Sequence, residues 1–292
     1  MFLIKTKSKN KFGSYKYLMF CFALFSIWYA FIDFITQPAM HSYKNSYIVL
    51  CATTYCTSYG LTLVLLAIHF VYRYFAIKSF KIVKHFQFPY LLIWPSIFLI
   101  IAVIWWLDVY FFLSSNVLID EYMRKTIKLH YEDDIEKLSY IGPLYFTYDT
   151  NGKKLIQWKS CLGMLCVAII SIVTLTIIIV LGTVIRNTKK NLNNSTASLK
   201  VRKQLDKALR LQTIVPICFM YSPTTILFIA PIFGVELGSM ANITSICLAL
   251  YPVIDPLVVM FIIQDYREYI INKLQSKRNS PIICTGINAF PI

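Results

Sequence analysis

Negative charge is scarce in this chain. Its 292 residues hold 14 Asp and Glu against 29 Lys and Arg, and charged residues of both signs make up only 15%. A soluble domain ordinarily carries about a quarter. Glycine and proline are few, at 9 and 11, which excludes collagen-like and low-complexity sequence. The four histidines (His41, His69, His85, His130) form no HExxH and no clustered metal spacing. Neither a glycine-rich phosphate loop nor a GxSxG elbow is present. The chain therefore reads as no enzyme, with no cofactor and no metal. Cysteine is missing from the long stretch between Ser114 and Trp158. The eight cysteines elsewhere read as buried free thiols rather than a disulfide framework.

What the chain has in excess is apolar surface: 57% hydrophobic and 16% aromatic residues. One soluble core cannot hide that much, and a disordered chain lacks it. A membrane helix needs about 20 residues free of ionised groups. Six runs fit, at about 17–36, 46–72, 88–112, 160–185, 211–233 and 239–263, three of them with a single acid inside (Asp33, Asp108 and Asp255). Runs such as Val167 to Leu181 are apolar on every side, unlike the alternating strands of a membrane barrel. The expected fold class is an all-α membrane protein, a bundle of six transmembrane helices. Residues 1–278 would form this domain and 279–292 a cytoplasmic tail.

The cations are parcelled between the runs. Before the first run, between the second and third, between the fourth and fifth, and after the sixth lie 21 of the 29 Lys and Arg. The opposite loops hold eight, beside seven acids from Asp120 to Asp149. The positive-inside rule then places both termini in the cytoplasm. A nucleic-acid partner needs a basic stripe, and charge divided in this way excludes that reading. Lys203 and Arg210, with Lys200, Arg202 and Lys207, form a cationic extension of the fifth run. It reads as a dock for a cytoplasmic partner or anionic lipid heads, or as a solvated face.

Several polar residues fall inside the runs. Cys51, Tyr55, Ser58, Thr62, His69 and Arg73 follow one another at steps of 4, 3, 4, 7 and 4, which keeps them on one helical face. Such a face in lipid should turn into the bundle. It reads either as a ligand-facing upper half with a switch at His69 and Arg73, or as packing between helices. Asp33 and Asp108 sit near the outer ends, where they can reach water. Asp255 lies deeper and precedes Pro256, and an acid at that depth marks a functional site. Pro216, Pro223 and Pro231 let the fifth run bend. Tyr55, Ser58, Tyr221, Thr225 and Ser245, on the outer halves, are candidates to line a ligand pocket.

Certain motifs then stand in a telling order. Gly13-Ser-Tyr15-Lys-Tyr17-Leu-Met19 opens the first run, which leads to Asp33, Gln37-Pro38 and His41-Ser-Tyr43. His69-Phe-Val-Tyr72-Arg73-Tyr74 closes the second. Gln204-Leu-x-x-Ala208-Leu-x-x-Gln212-Thr-x-x-Pro216 and Tyr221-x-Pro223 mark the fifth, and Tyr251-Pro252-x-x-Asp255-Pro256 and Asp265-Tyr266-Arg267 the sixth. From about Ile4 to Lys277 the chain resembles the nematode seven-transmembrane chemoreceptors of serpentine receptor class r, the Str family.

The resemblance implies a G-protein-coupled receptor for small chemical cues, in the plasma membrane of sensory cilia. Its partners would be a small-molecule ligand, a heterotrimeric G protein and membrane lipids. It implies a coupling role for Arg73 with His69, Lys203 and Arg210, and a hinge role for Asp255-Pro256. Val259 stands where the family pattern often has a tyrosine, and the external loop lacks the cysteine of a familiar disulfide. The resemblance also implies a span before Gly13, so the six runs would be helices two to seven, with the first missing. A transporter would need repeated halves, and runs one to three show no similarity to runs four to six. A truncated, non-signalling receptor remnant is the remaining alternative.

Overall fold

The computed structural model describes residues 15–51, 53–78, 92–132, 134–190 and 210–262, with 207, 267–269, 271, 272 and 275. The lysine-rich N-terminus, Lys81, Lys84, Lys203, the Asp265-Tyr266 motif and the tail 279–292 lie outside the described residues. In chain order the main elements are α1 (Tyr15–Thr36), β1 (Ala39–Tyr43), β2 (Ser46–Leu50), α2 (Thr53–Lys78), α3 (Ile93–Phe112), α4 (Val117–Tyr131), β3 (Phe146–Tyr148), β4 (Lys154–Ile156), α5 (Trp158–Lys190), α6 (Arg210–Phe233) and α7 (Asn242–Ile262).

Each of the six apolar runs contains a helix. Among the described residues, α2, α3, α5, α6 and α7 are long and apolar enough to cross a bilayer. The described apolar part of α1, Phe20–Thr36, is shorter. Phe34, Leu99, Ile172 and Phe261 are each more than 60% exposed. Side chains of that kind would cost free energy in water but cost none against lipid tails.

The buried centre is α2, which packs against α1, α3 and α5. Its buried side chains, Leu63, Leu66, Phe70 and Tyr55 among them, point in every direction around the helix. Ser58 and Thr62 donate to the carbonyls of Thr54 and Ser58, both at 2.8 Å. The hydroxyls thus find partners on their own helix. Gly60 lets α3 come close: a Cβ there would lie 2.5 Å from the Trp105 indole.

The expected second helix, 46–72, starts too early. Ser46–Leu50 is a strand, paired antiparallel with Ala39–Tyr43 through a two-residue turn at Lys44-Asn45. The strand is held by partners far along the chain. Val49 and Ile141 exchange backbone hydrogen bonds at 2.7 and 3.0 Å, and Ser46 Oγ donates to the Pro143 carbonyl at 2.8 Å. A charge count cannot see this, because β-branched and aromatic residues such as Tyr47, Ile48 and Val49 suit either element in an apolar run. The all-α reading omitted this hairpin and the smaller β3–β4 hairpin.

The long loop between α3 and α5 is folded. Asn116 caps α4, its side chain accepting from the Ile119 N–H at 3.0 Å. Asp120 lies in the first turn and Lys128 and His130 in the last, the charge order the helix dipole favours. Ile119, Met123 and Ile127, four residues apart, form one buried face. With Ile48, Ile135, Tyr140 and Leu144 they make a small second core over the hairpin. Residues 139–145 press so close that a Cβ on Gly142 would meet the Tyr47 carbonyl oxygen at 2.0 Å.

In α6, residues Ile217–Tyr221 widen into a π-helical turn, with the Ser222 N–H bonding the Ile217 carbonyl five residues back. Pro223 has no N–H to continue the usual ladder, and such a turn is a common response to that loss.

Candidate functional site

Beneath the β1–β2 hairpin the helices line a small cavity of about 60 Å³. Tyr55 and Tyr59 of α2, Trp105 and Val109 of α3, Met164 of α5, Thr224 of α6 and Leu248 of α7 form its walls. Met40, Tyr47 and Val49 of the hairpin close it from outside. A second, more open cavity of about 520 Å³ lies between α5 and α6 and shares Tyr59, Met164, Thr224 and Phe228 with the first. The second has the size of a small-molecule site, and both are apolar with few polar groups, as such sites usually are.

The polar groups in these walls are specific. Tyr59 Oη lies 3.0 Å from Thr224 Oγ1, which itself lies 2.5 Å from the Met220 carbonyl. A threonine hydroxyl has one proton, so Thr224 donates to Met220 and accepts from Tyr59. Tyr221 Oη pairs with Thr174 Oγ1 at 2.9 Å, linking α6 to α5. Tyr55 Oη is buried without a hydrogen bond, although its ring stacks on Tyr29 at 5.9 Å. The carboxyl group of Asp33 lies beside it, also without a bond of normal geometry.

The expected pocket residues divide. Tyr55 lines the inner cavity, and Tyr221 and Thr225 line the second. Ser58 and Ser245 line neither, and Ser245 Oγ is buried with no partner. Tyr59, Trp105, Met164, Thr224 and the hairpin residues were not anticipated. Tyr59 had a legible signal, one helical turn after Tyr55. Trp105 and the hairpin residues had none, since only tertiary packing brings them there.

At the other end of α2, His69 is buried with its ring 5.7 Å from that of Phe22. Asp255 is 4% exposed and lies within electrostatic range of Arg73. Pro252 and Pro256 stand inside α7 on either side of it. Arg210 is exposed where α6 begins. Asp108, expected near water, is 7% exposed and sits beside Cys166 of α5, because α3 packs its Asp108 and Val109 positions inward.

The cysteines are free thiols among the described residues. Cys51 and Cys56 place their sulfurs 3.7 Å apart, well beyond the bond length of about 2.05 Å in a disulfide. Outside the membrane, His41 is buried on β1 against His130 and Tyr131. Burial, and then the neighbouring His130, pushes its pKa down to about 4.

A buried central helix among helices long and apolar enough to cross a bilayer, with exposed apolar side chains on their outer faces, defines a polytopic helical membrane protein. The chain belongs to the serpentine type seven-transmembrane GPCR chemoreceptors, family Str, whose family model matches residues 1–271. It is similar to serpentine receptor class r-10 of Caenorhabditis briggsae, at 34% identity over 92% of this chain and 83% of that one. It is similar to the Caenorhabditis elegans protein of that name, at 35% over 95% and 86%. G-protein coupled receptor str-217 of Caenorhabditis elegans is 25% identical over 91% and 81%. No solved structure matches the chain. It is therefore an integral membrane protein of GPCR type, and not an enzyme.

Proposed function

We propose that this chain is a chemosensory receptor that binds a small, mainly apolar cue in the two adjoining cavities beneath the β1–β2 hairpin and between α5 and α6, and activates a heterotrimeric G protein at the opposite end. The observation that carries this reading is a pair of adjoining apolar cavities, about 60 Å³ beneath the hairpin and about 520 Å³ between α5 and α6, which share Tyr59, Met164, Thr224 and Phe228 as a wall. Tyr55, Tyr221 and Thr225 would meet the cue, and Ser58 and Ser245 would act from behind the wall. The six apolar helices would take the places of helices two to seven in the seven-helix plan, with the cation-rich loops inside.

Binding would act by population shift. A ligand moves the equilibrium only by the difference in its affinity for the two arrangements. Thr224 lies in the wall of both cavities and just beyond the π-turn, so repacking around a ligand would be felt by α6. At the inner end, His69, Arg73, Asp255 and Pro256 would hold the resting state, and Arg73, Lys203 and Arg210 would face the G protein. The receptor would work at the plasma membrane of sensory cilia.

The test is a screen of small volatile and neutral compounds on cells expressing the chain, read by calcium or cyclic nucleotide. A cue should evoke a response that Trp105→Ala weakens at equal surface expression. Solute flux through proteoliposomes lacking any G protein would favour a transporter instead.

A further inference from the structure

His41 belongs to a motif that the receptor reading leaves without a task. It is 1% exposed, and neither of its ring nitrogens has a hydrogen-bond partner. Buried imidazoles ordinarily satisfy at least one nitrogen. Against the ring lies His130 of α4, with centroids 5.1 Å apart and planes tilted by 51°. His130 is exposed, and its Nδ1 lies 3.0 Å from the Thr126 carbonyl oxygen. An Nδ1–H donated to that carbonyl leaves the lone pair on Nε2. A metal-ligating histidine is usually oriented in this way, its other nitrogen donating to a backbone carbonyl.

We propose that His41 and His130 form a two-histidine site for a borderline transition-metal dication such as Zn²⁺ or Cu²⁺ on the outer face of the receptor. Metal–nitrogen bonds of about 2.0–2.1 Å put each ring centre about 3.2 Å from the ion. At a tetrahedral angle the two centres then stand about 5.2 Å apart, close to the 5.1 Å observed. Small rotations of the exposed His130 ring would complete the geometry. Imidazole nitrogens suit Zn²⁺ and Cu²⁺, whereas Ca²⁺ and Mg²⁺ want oxygen ligands.

Other groups around the site are already engaged. Tyr131 Oη donates to the Met40 carbonyl at 3.4 Å and accepts from Asn242 Nδ2 at 3.2 Å. Asn242 Oδ1 accepts from the Met40 N–H at 2.7 Å. The remaining coordination positions would be filled by water. Among the described residues no group of three or more His, Cys, Asp or Glu could hold an ion, so the affinity should be moderate. The bound ion would tie α4 to β1 next to Met40, which lines the inner cavity. External metal would then tune how the cavity closes.

The experiment titrates Zn²⁺ alone, and Mg²⁺ alone, into the full chain in phosphatidylcholine nanodiscs. Binding is read by calorimetry and by the unfolding midpoint. Expected are one Zn²⁺ per chain, a midpoint raised by about 2–4 °C, and no Mg²⁺ binding. His130→Ala, at an exposed position, should fold normally and lose tenfold or more in Zn²⁺ affinity, and His130→Cys should restore it. Zn²⁺ bound equally by the His130→Ala chain would assign the ion to the thiols and overturn the proposal. So would the absence of binding to the unmodified chain at millimolar Zn²⁺.

Discussion

The Tyr59 hydroxyl lies 3.0 Å from Thr224 Oγ1, joining the central helix α2 to α6 at the wall between the two cavities. Thr224 also donates to the Met220 carbonyl, within the π-turn. The bond therefore couples the cavity wall to the irregular part of α6.

Replacing Tyr59 with Phe should keep the ring and remove the bond. Interhelical hydrogen bonds in membranes are worth about 0.6 kcal/mol on average. The expected change is a small drop in unfolding midpoint with a larger shift in cue potency, compared by thermal unfolding in detergent and by dose–response. An unchanged dose–response would remove Tyr59 from the signalling path.

Gly60→Ala should be costly despite its small size. The new Cβ would meet the Trp105 indole at 2.5 Å, and overpacking typically costs about 1–3 kcal/mol. Trp105→Phe in the same chain should recover part of the loss, since contacting sites are not additive. The comparison of the two single variants and the double variant by thermal unfolding measures that recovery.

Arg73→Ala should abolish coupling while surface expression persists. The guanidinium stands near the C-terminal end of α2 within electrostatic range of Asp255. Surface labelling combined with a second-messenger assay checks this, and normal signalling at normal surface level would exclude Arg73 from the switch.

Asn116→Ala should loosen the outer cap. Loss of an N-cap costs about 0.5–2 kcal/mol, and here the affected helix carries the lid core of Ile119, Met123 and Ile127. Hydrogen exchange should quicken in residues 117–131 and leave α2 unchanged.

Arg124→Ala should do almost nothing. Arg124 pairs with Glu136, but the two side chains are 46% and 55% exposed, and such pairs are screened by solvent. Thermal unfolding and cue response should both match those of the unmodified chain.

Much of the helical layout was legible in the residues. Each of the six apolar runs holds a helix, and Asp255 is buried within α7 between Pro252 and Pro256. The hairpin was not legible. Ser46 to Val49 read as helix because Tyr47, Ile48 and Val49 suit either element in an apolar run; their ladder partners in β1 are near in sequence, while the further bonds to Ile141 and Pro143 come from more than ninety residues away. Of the proposed pocket residues, Tyr55, Tyr221 and Thr225 line cavities, whereas Ser58 bonds to its own helix. A hydroxyl at the right helical spacing does not reveal which way it is satisfied.

The sequence by itself determined the solvent of this protein and the uneven division of its charge among the loops. An ionised group in hydrocarbon is costly wherever it stands, so uncharged runs and cationic loops can be read one residue at a time. The tertiary structure alone decided where the cavity lies and what covers it. The Met40 N–H reaches its partner Asn242 across 202 residues of chain, and the lid exists because α4 and residues 139–145 fold back over β1 and β2. Such contacts depend on which surfaces meet, and a surface is a property of the folded chain rather than of any segment in it.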